Sequence, residues 1–246
     1  MPLLEIKNLT KHYGAIEALR GFSLSVSAGE VLGLMGDNGA GKTTTIKIVA
    51  GNFPPSSGDI IIDDKPVHFQ CPSDAQKAGI EVVYQNLALC DNLTAASNVF
   101  LGRELTKRVG PFKILDQARM NKEATDLFAE LKSETRSGDL VRRMSGGQRQ
   151  AVAISRAIRA KAKLVILDEP TAAISVRQVS EVLNLIKRLR TQNVAVILIS
   201  HRMPDIFDVC SRIVVMRRGL KVADKDITKT NPEEITGLIT GAIDEA

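Results

Sequence analysis

The sequence is poor in the residue types that build metal and redox centres. Its 246 residues include only three histidines and three cysteines. Three histidines are too few for a histidine-rich metal centre. The cysteines, Cys71, Cys90 and Cys210, have neither CxxC nor metal-ligand spacing. We therefore expect reduced thiols of the kind that persist in a cytoplasm.

Aromatic residues and charge of one sign are also scarce. There is no tryptophan, and the net charge of +5 comes from 33 basic and 28 acidic residues that are interleaved along the chain. A nucleic-acid-binding surface concentrates basic residues and offers aromatic rings for stacking. The composition therefore favours a mixed, solvated surface and predicts no nucleic-acid partner.

Long hydrophobic runs are missing as well. The longest, "VAVILI" and "LVIL", have the length of strands, whereas a membrane-spanning helix needs about 20 apolar residues. Because no charged and then apolar leader opens the sequence, we expect no secretory signal. The expected location is the cytoplasm.

What the sequence does contain is a succession of strand and helix patterns typical of an α/β fold. Near the start, "LLEIKNLTKHYG" predicts an edge strand, and "GDIIIDDKPVHF" predicts a hairpin that turns at Asp63 and Asp64. Between them, "KTTTIKIVAG" predicts a helix closed by Gly51. A capping box between Ser73 and Gln76 is predicted for the next short helix.

Strand patterns disappear between about Leu87 and Ala160, which predicts an inserted helical subdomain. Within it, "DQARMNKEATDLFAELK" predicts an amphipathic helix that begins after Asp116. A proline-started helix is predicted after Asn231.

Unbroken apolar runs then return in "KLVILDEP", "VAVILISH" and "RIVVMRRG", as buried parallel strands require. A helix between the first two is predicted to bury one face, formed by Val176, Val179, Leu183 and Ile186. We predict a single domain over residues 1–246, with an α/β core at about 1–86 and 161–246 and a helical subdomain at 87–160.

A phosphate-binding loop follows the third strand pattern. "VLGLMGDNGAGKTTTIKIVAG" matches G-x-x-x-x-G-K-[ST] between an apolar strand and a helix. The glycines let backbone N–H groups approach phosphate oxygens. Lys42 adds a cation, and the Thr43 hydroxyl can ligate a bridging Mg²⁺. The predicted nucleotide contacts are Gly36, Asp37, Asn38, Gly39, Ala40, Gly41, Lys42, Thr43 and Thr44.

Two later strands end in side chains suited to acid–base chemistry. Asp168 and Glu169 end "LVILDEP", at the edge where α/β sheets bind ligands. We predict that Asp168 holds Mg²⁺ and that Glu169 orients or deprotonates the attacking water. His201 ends the next strand and could sense a γ-phosphate, although a lone histidine at a strand end also fits a structural role.

A second helix start with anion-binding features lies in "RMSGGQRQAVAISRAIRA". The Ser145 hydroxyl, the amides of Gly146 and Gly147 and the helix N-terminus could hold a phosphate, with Gln148 beside them. Taken alone, this tetrapeptide is more typical of a flexible turn and N-cap than of an anion site.

Together these motifs resemble those of ATP-binding cassettes, the ATPases of ABC transporters, over essentially the whole chain. They follow the family's order: P-loop "GDNGAGKTT", glutamine loop "VVYQN", signature "MSGGQRQ", Walker B strand "LVILDEP" and a switch histidine at His201. The resemblance implies that Tyr13 stacks on adenine and that Gln85 contacts Mg²⁺ or the attacking water.

The same resemblance implies the fold and the cofactors. The expected fold is α/β, a P-loop NTPase (RecA-like) core with a mainly parallel sheet, an N-terminal antiparallel β subdomain and an inserted α-helical subdomain. The expected activity is hydrolysis of ATP with Mg²⁺.

The resemblance also implies partners. In the family, two cassettes pair head to tail, and each ATP lies between the P-loop of one copy and the signature of the other. Permease subunits dock after Gln85, at "NLALCDNLTAASNVFLGRE", which implies a peripheral position on the inner face of the membrane and an indirect link to a solute-binding protein. The segments "CDNLTAASNVFLGRE" and "DEPTAAISVRQ" are most similar to the ATPases of monosaccharide importers.

One position departs from the family pattern. Ser175, in "TAAIS", stands where most members have an aspartate that helps to couple the two sites. A similar loss is familiar in the monosaccharide group, so an active cassette is still expected. The strength of coupling between the sites stays open.

Two other functions can be compared with an importer motor. A DNA-repair cassette needs a long coiled-coil insertion, but the roughly hundred residues between P-loop and signature lack sustained heptads, and the ribosomal type carries two cassettes on one chain. A non-enzymatic nucleotide sensor is expected to lack a catalytic carboxylate, whereas Glu169 is present. The importer motor is the function that we predict.

Overall fold

The structure is a computed structural model that describes residues 2–172 and 174–243. Its strands are β1 Pro2–Tyr13, β2 Ile16–Ser27, β3 Val31–Gly36, β4 Ser57–Ile62, β5 Lys65–Val67, β6 Ile80–Val83, β7 Thr106–Val109, β8 Phe112–Leu115, β9 Leu164–Asp168, β10 Ala195–Ile199, β11 Arg212–Arg217 and β12 Leu220–Asp226. Its α-helices are α1 Lys42–Val49, α2 Pro72–Lys77, α3 Ala95–Val99, α4 Gln117–Glu130, α5 Gly146–Arg159, α6 Val176–Thr191, α7 Met203–Val209 and α8 Pro232–Thr240.

The chain divides into two compact units. The first, here called the core unit, comprises Met1–Val82, Ala162–Glu169 and Leu189–Ala246. The second, the signature unit, comprises Val83–Lys161 and Pro170–Arg188. The sequence-based division into one domain with a helical subdomain at 87–160 stays a prediction.

The core unit is built on a six-stranded, mostly parallel sheet with the order β12-β11-β3-β10-β9-β6. Strand β3 pairs in parallel with β10 and β11, and β10 pairs in parallel with β9. Strands β3 and β10 are buried along their whole length. The predicted parallel strands are therefore confirmed, and their unbroken apolar runs follow from cover on both faces.

A separate antiparallel sheet, with the order β2-β1-β4-β5, contains the N-terminal strands. The prediction that the first strand is an edge strand is wrong, because β1 pairs with both β2 and β4. The predicted turn at Asp63 and Asp64 is confirmed between β4 and β5, and both residues have positive φ. Aspartate is among the residues that tolerate this backbone region in hairpin turns.

The signature unit has its own hydrophobic core, formed where α3, α4 and α5 pack together. Phe100, Phe128 and Val152 are fully buried in it. Asp116 begins α4, as predicted, and its carboxylate accepts a hydrogen bond from the Arg119 amide at 3.3 Å. The amphipathic pattern of α4 is thus satisfied by burial of Ala124 and Phe128.

Two strands in the signature unit escaped the sequence analysis, which predicted no strand between Leu87 and Ala160. Strands β7 and β8 form an antiparallel hairpin in which every residue is exposed. An exposed hairpin gives no alternation of buried and solvated positions, so the periodicity that reveals strands is missing.

Two local expectations are also corrected. The capping box of α2 joins Cys71 to Asp74 rather than Ser73 to Gln76. Val176 is 79% exposed and does not belong to the buried face of α6, which includes Val179 and Ile186. The predicted start of α8 is confirmed, because the Asn231 side chain accepts from the Glu234 amide at 2.8 Å.

Across residues 2–172 and 174–243, no helix combines the length and the apolar character that crossing a bilayer requires.

Candidate nucleotide-binding and catalytic site

Three neighbouring strands of the core unit bring the phosphate loop, Asp168, Glu169 and His201 to one edge of the sheet. Strand β3 runs into the phosphate loop at Gly36, β9 ends at Asp168, and β10 ends two residues before His201. Because β3, β10 and β9 are adjacent and parallel, their carboxyl ends meet at the same edge. This is the edge at which open α/β sheets bind ligands.

The phosphate loop has a backbone that side chains would obstruct. Gly36 and Gly41 have φ values of 153° and 106°. A Cβ at Gly41 would lie 2.8 Å from the carbonyl oxygen of Ala18, and one at Gly36 would collide with the carbonyl oxygen of Met216. Glycine is therefore required at both positions because neighbouring strands support the loop closely.

The turn between β11 and β12 also holds the loop. The Gly219 amide donates a hydrogen bond to the carbonyl oxygen of Ala40 at 3.0 Å. Neither Met216 nor Gly219 was predicted from the sequence, since their role depends on strand order and no local motif marks them.

Helix α1 begins directly after the loop and without help from a side chain. Its N-cap is Gly41, and the described residues provide no side-chain hydrogen bond to that cap. The first amides of a helix have no intrahelical acceptor, so they are available to an anion. Thr43 is exposed and Thr44 half-buried in this first turn.

Lys42 is buried and turns back onto the loop. Its ammonium group donates to the carbonyl oxygens of Gly36 at 2.6 Å and Asp37 at 2.9 Å. Burial lowers the pKa of Lys42, and the negative charges of Glu169, Asp37 and Asp168 oppose that shift. The cation therefore lies within electrostatic reach of the Walker B carboxylates.

The rest of the loop is open. Asp37, Asn38 and Gly39 are exposed, whereas Ala40 is buried. The Asp37 carboxylate accepts a hydrogen bond from the Asn38 amide at 2.7 Å. The tip of the loop is thus open to solvent, where a phosphate chain could approach.

Asp168 and Glu169 are partly buried carboxylates whose charges are costly. Burial raises the pKa of each, while Lys42 opposes the shift of Asp168 and His201 opposes that of Glu169. Glu169 also has a φ of 51°, a region that non-glycine residues adopt at a cost. Its amide donates to the Ile199 carbonyl at 2.9 Å, which fixes this turn to β10.

Glu169 and His201 face each other. The Glu169 Oε1 atom lies 3.2 Å from the His201 Nε2 atom, and the His201 amide donates to Oε2 at 3.4 Å. The Glu169 side chain is 16% exposed and that of His201 54%. A carboxylate and an imidazole are therefore held together at the open edge of the sheet.

The donor atoms at this edge fit a magnesium ion. Thr43 offers a hydroxyl oxygen and Asp168 a carboxylate, both hard ligands. The described residues contain no cluster of three or more histidine, cysteine or acidic side chains able to hold a metal alone. Such a sparse donor set matches Mg²⁺, which proteins hold with one or two carboxylates together with substrate phosphates.

Tyr13, at the end of β1, is exposed and contacts the half-buried Phe53. Its ring meets that of Phe53 edge to face with the centroids 5.9 Å apart. The Lys11 ammonium group lies 4.9 Å from the Phe53 centroid and 5.6 Å from that of Tyr13. Sequence analysis identified Tyr13 only, because Lys11 and Phe53 join it through the fold.

The signature sequence begins α5 with a complete capping box. The Ser145 hydroxyl accepts from the Gln148 amide at 3.2 Å, and the Gln148 side chain accepts from the Ser145 amide at 2.9 Å. Each side chain thereby satisfies the other's backbone. The amides of Gly146 and Gly147, the first two of the helix, are not used by this box.

Both signature glycines are closely packed within the signature unit, Gly146 against Ile174 and Gly147 against the mobile end of the Glu181 side chain. A Cβ at Gly147 would lie 2.8 Å from the Oε2 atom of Glu181, and one at Gly146 would collide with Ile174. Glu181 is paired with Arg177 at 3.5 Å. Sequence analysis did not identify this carboxylate, which lies beside the positive end of α5.

The start of α5 lines a cleft of 480 Å³ within the signature unit. Its lining includes Ser145, Gly147, Gln148, Lys132, Arg177 and Glu181. The signature is thus accessible on its own unit.

Ser175, the departure from the family pattern, begins α6 in the same way. Its amide donates to the Gln178 side chain at 3.1 Å, and its hydroxyl accepts from the Gln178 amide at 3.5 Å. Serine and aspartate are both good N-caps. The local helix start is therefore kept where the aspartate is missing.

Gln85 lies in an exposed loop two residues after β6 and belongs to the signature unit. Its predicted contact with Mg²⁺ or water stays a prediction.

Comparison with known proteins gives the context of this site. Residues 19–172 match the family model described as ABC transporter. The chain is 42% identical to the xylose/arabinose import ATP-binding protein XylG of Sulfolobus acidocaldarius, covering 97% of this chain and 94% of that protein. It is likewise 42% identical to the fructose import ATP-binding protein FrcA of Rhizobium meliloti, over 98% and 95%.

A third relative is longer. The ribose import ATP-binding protein RbsA of Yersinia pestis is 37% identical over 98% of this chain. The chain spans about half of it, 47% of its length.

Solved structures support the fold. An ATP-binding cassette of an ABC transporter in its ADP conformation superposes with a TM-score of 0.83 at 23% identity, over 98% of this chain and 95% of that one. A dimeric cassette in a post-hydrolysis state, bound to ADP and Pi, gives a TM-score of 0.76 at 25% identity, over 91% and 98%. The expected P-loop NTPase fold is thereby confirmed.

Proposed function

This chain belongs to the ABC transporter family of ATPases, and we propose that it powers the import of a monosaccharide through a separate membrane permease. The family hydrolyses ATP, and the relatives at 42% identity are named for xylose, arabinose and fructose import. A peripheral position on the inner face of the membrane and an indirect link to a solute-binding protein belong to the same proposal.

The observation that carries the ATPase part of this proposal is the Glu169–His201 pair within electrostatic reach of Lys42. A buried cation, a carboxylate of raised pKa and an imidazole gather at the end of three parallel strands. Phosphoryl transfer needs a cation on the phosphates and a group that orients or deprotonates the attacking water.

We assign nucleotide binding to the phosphate loop and Tyr13. The amides of the loop, Gly36 to Gly41, and of Thr43 and Thr44 in the uncapped start of α1 would hold the phosphates. The Lys42 ammonium group would exchange its contacts with loop carbonyls for phosphate oxygens. Tyr13 would stack on adenine from its exposed position beside Phe53.

We assign metal binding to Thr43, Asp168 and Gln85. Bound Mg²⁺ would supply neutralisation of the phosphate charge. The Asp168 carboxylate keeps hard oxygen donors at the sheet edge, and Lys42 offsets part of its negative charge. Gln85 would add an amide oxygen from the loop after β6.

We assign the proton transfer to Glu169. A water oxygen attacks the γ-phosphorus while the bond to the β-phosphate oxygen breaks, and ADP and phosphate leave. Glu169 takes the proton that the water loses, and its raised pKa makes it a stronger base for that step. His201, 3.2 Å from Glu169, would orient this carboxylate and contact the γ-phosphate.

The signature would act on the nucleotide of a second copy. Ser145, Gly146, Gly147 and Gln148 would close over ATP held by the partner's phosphate loop, in a head-to-tail dimer. In support, the capping box pre-orders this helix start, and the dimeric cassette similar to this chain was solved with ADP and Pi.

Copurification tests the proposed function. Tagged chain carrying Glu169→Gln, to hold the ATP-bound state, is isolated from its native membranes with ATP present. The parent chain without ATP is the matched control. We expect a multi-span permease and a solute-binding protein, and stimulation of the parent's ATPase by one monosaccharide in proteoliposomes. Recovery with DNA or ribosomes, and without any membrane protein, would overturn the proposal.

A further inference from the structure

A β-hairpin of the signature unit, residues 106–115, leaves a hydrophobic surface uncovered. All residues of β7 and β8 are exposed. Phe112 is 70% exposed, Val109 54% and Ile114 44%. Contiguous exposed apolar side chains of this kind mark an interaction surface.

The strand register sorts the hairpin into two different faces. Val109 pairs with Phe112, Lys107 with Ile114, Arg108 with Lys113 and Thr106 with Leu115. Paired residues share a face, and faces alternate along a strand. One face is therefore apolar with a single lysine, and the other carries two basic residues beside Thr106 and Leu115.

The charge of the hairpin is of one sign only. Residues 106–115 include three basic residues, Lys107, Arg108 and Lys113, and no acidic one. A partner surface must therefore be negatively charged and must also accept apolar side chains. An anionic lipid surface offers both at the depth of its headgroups.

We propose that this hairpin binds the anionic headgroup surface of a lipid bilayer. Val109, Phe112 and Ile114 enter the boundary between headgroups and acyl chains. The stem of Lys107 lies along this apolar face while its ammonium group stays in water. Arg108 and Lys113 project from the opposite face, close enough to the anionic surface for its potential to attract them, and each basic residue near such a leaflet strengthens binding by about fivefold.

Binding of this type is weak and reversible, because stable membrane anchoring takes more than one short element. The hairpin thus adds to any contact with a permease without replacing it. The proposal goes beyond the proposed function, and it is tested with vesicles that contain neither permease nor ATP. Its failure would leave the ATPase assignment untouched.

The absence of tryptophan from the chain makes a fluorescence test direct. Phe112→Trp in the full chain introduces a single tryptophan on the hairpin. We expect its emission to shift to shorter wavelength on titration with vesicles of phosphatidylcholine and phosphatidylglycerol in equal amounts, and to stay unchanged with phosphatidylcholine alone. Ile16→Trp is the matched control, because Ile16 is 69% exposed and lies in the core unit.

A second set of variants tests whether vesicle binding depends on the basic residues of the hairpin or only on the net charge of the protein. On the Phe112→Trp background, Lys107→Gln, Arg108→Gln and Lys113→Gln together should weaken vesicle binding about a hundredfold. The control triple of Lys65→Gln, Lys122→Gln and Lys229→Gln removes the same charge at exposed positions and should weaken it far less.

Three results would overturn the lipid assignment. The first is no emission shift with anionic vesicles, and the second is an equal emission shift in Phe112→Trp and Ile16→Trp. The third is an equal loss of vesicle affinity in the two triple variants. A shift that appears only with vesicles containing the permease would also overturn it and indicate a protein partner. The ATPase rate in solution should stay unchanged in the Gln triple on the hairpin, which verifies that the variant is folded.

Discussion

Two helices of this molecule begin at phosphate-type motifs, yet they begin in opposite ways. Helix α1 starts after Gly41, and within the described residues no side chain caps it. Helix α5 starts with a capping box between Ser145 and Gln148. The first start leaves amides for an anion, and the second is already ordered before any ligand arrives.

The surroundings of the two helices also differ: those of α1 are strained and hold partly buried charges, whereas those of α5 have satisfied helix caps. In the core unit, Glu169 has a positive φ and burial raises the pKa of both Walker B carboxylates. In the signature unit, Ser145 and Ser175 each form a reciprocal bond with a glutamine three residues later. The strained backbone and the partly buried carboxylates thus lie in the core unit, where the chemistry is proposed. The signature unit instead provides a contact surface that is ordered before any ligand binds.

The largest expected effect is on ATP turnover, when the proposed base of the core unit is removed and the signature unit is left unchanged. Glu169→Gln removes the base but keeps the shape, so turnover should fall about a thousandfold while ATP still binds. Turnover by phosphate release and ATP affinity by equilibrium binding check this prediction. Gel filtration with ATP should show a trapped dimer. Turnover near the parent rate would exclude Glu169 as the base.

The next effect comes from breaking the signature. Ser145→Arg should lower turnover about a hundredfold, as the loss of a preorganised contact does, with nucleotide affinity of the monomer nearly unchanged. Asp116→Ala is a control, because it removes a different N-cap of the same unit at a cost of about 1 kcal/mol. An equal loss of ATP affinity in Ser145→Arg would mean that the signature serves its own chain's nucleotide.

A smaller effect is expected at the adenine contact. Tyr13→Ala should weaken ATP binding about tenfold, because stacking on an aromatic ring contributes about 1–3 kcal/mol per base. Tyr13→Phe keeps the ring and should bind as the parent does. A loss in Tyr13→Phe equal to that in Tyr13→Ala would point to the hydroxyl group and against stacking.

The smallest effect concerns the stability of the core unit. Burial raises the pKa of Asp168, so the folded state holds this proton more tightly than the unfolded chain does. The stability that the protonated form contributes is complete below the unfolded pKa of 3.8 and is lost as the pH rises through the folded pKa.

Without nucleotide at pH 7, Asp168→Asn should therefore raise Tm by about 2 °C. The difference should close as the pH falls below 3.8, which thermal unfolding at several pH values would reveal. Asp126→Asn, at an exposed position of α4, is the control. A lower Tm for Asp168→Asn at pH 7 would show that the ionised carboxylate stabilises the fold.

Much of this comparison could be predicted from the sequence. Unbroken apolar runs predicted β9, β10 and β11, and the loop motif predicted the turn that follows β3, because these signals are local. The order of the strands and the supports at Met216 and Gly219 could not be predicted, since they depend on which distant segments meet. At Ser145 the sequence predicted an N-cap only as an alternative to an anion site, and the structure shows a complete capping box.

Other features carried no usable signal. The hairpin at 106–115 is exposed throughout and so lacks periodicity. Val176 matched the helical pattern but lies at the first position of α6, where the helix face is open to solvent. At Ser175 the sequence showed a missing aspartate, whereas the structure shows that serine keeps the cap of α6.

The central claim is that the core unit of one copy works with the signature of another, and mixing two inactive variants tests it most directly. Glu169→Gln retains an intact signature, and Ser145→Arg retains an intact base. Mixed in equal amounts before ATP is added, about half of the dimers should pair the two variants and hold one complete site of two, which restores about a quarter of the parent turnover. If the mixture is as inactive as its components while mixed dimers form, the signature does not act across the dimer and the account is wrong.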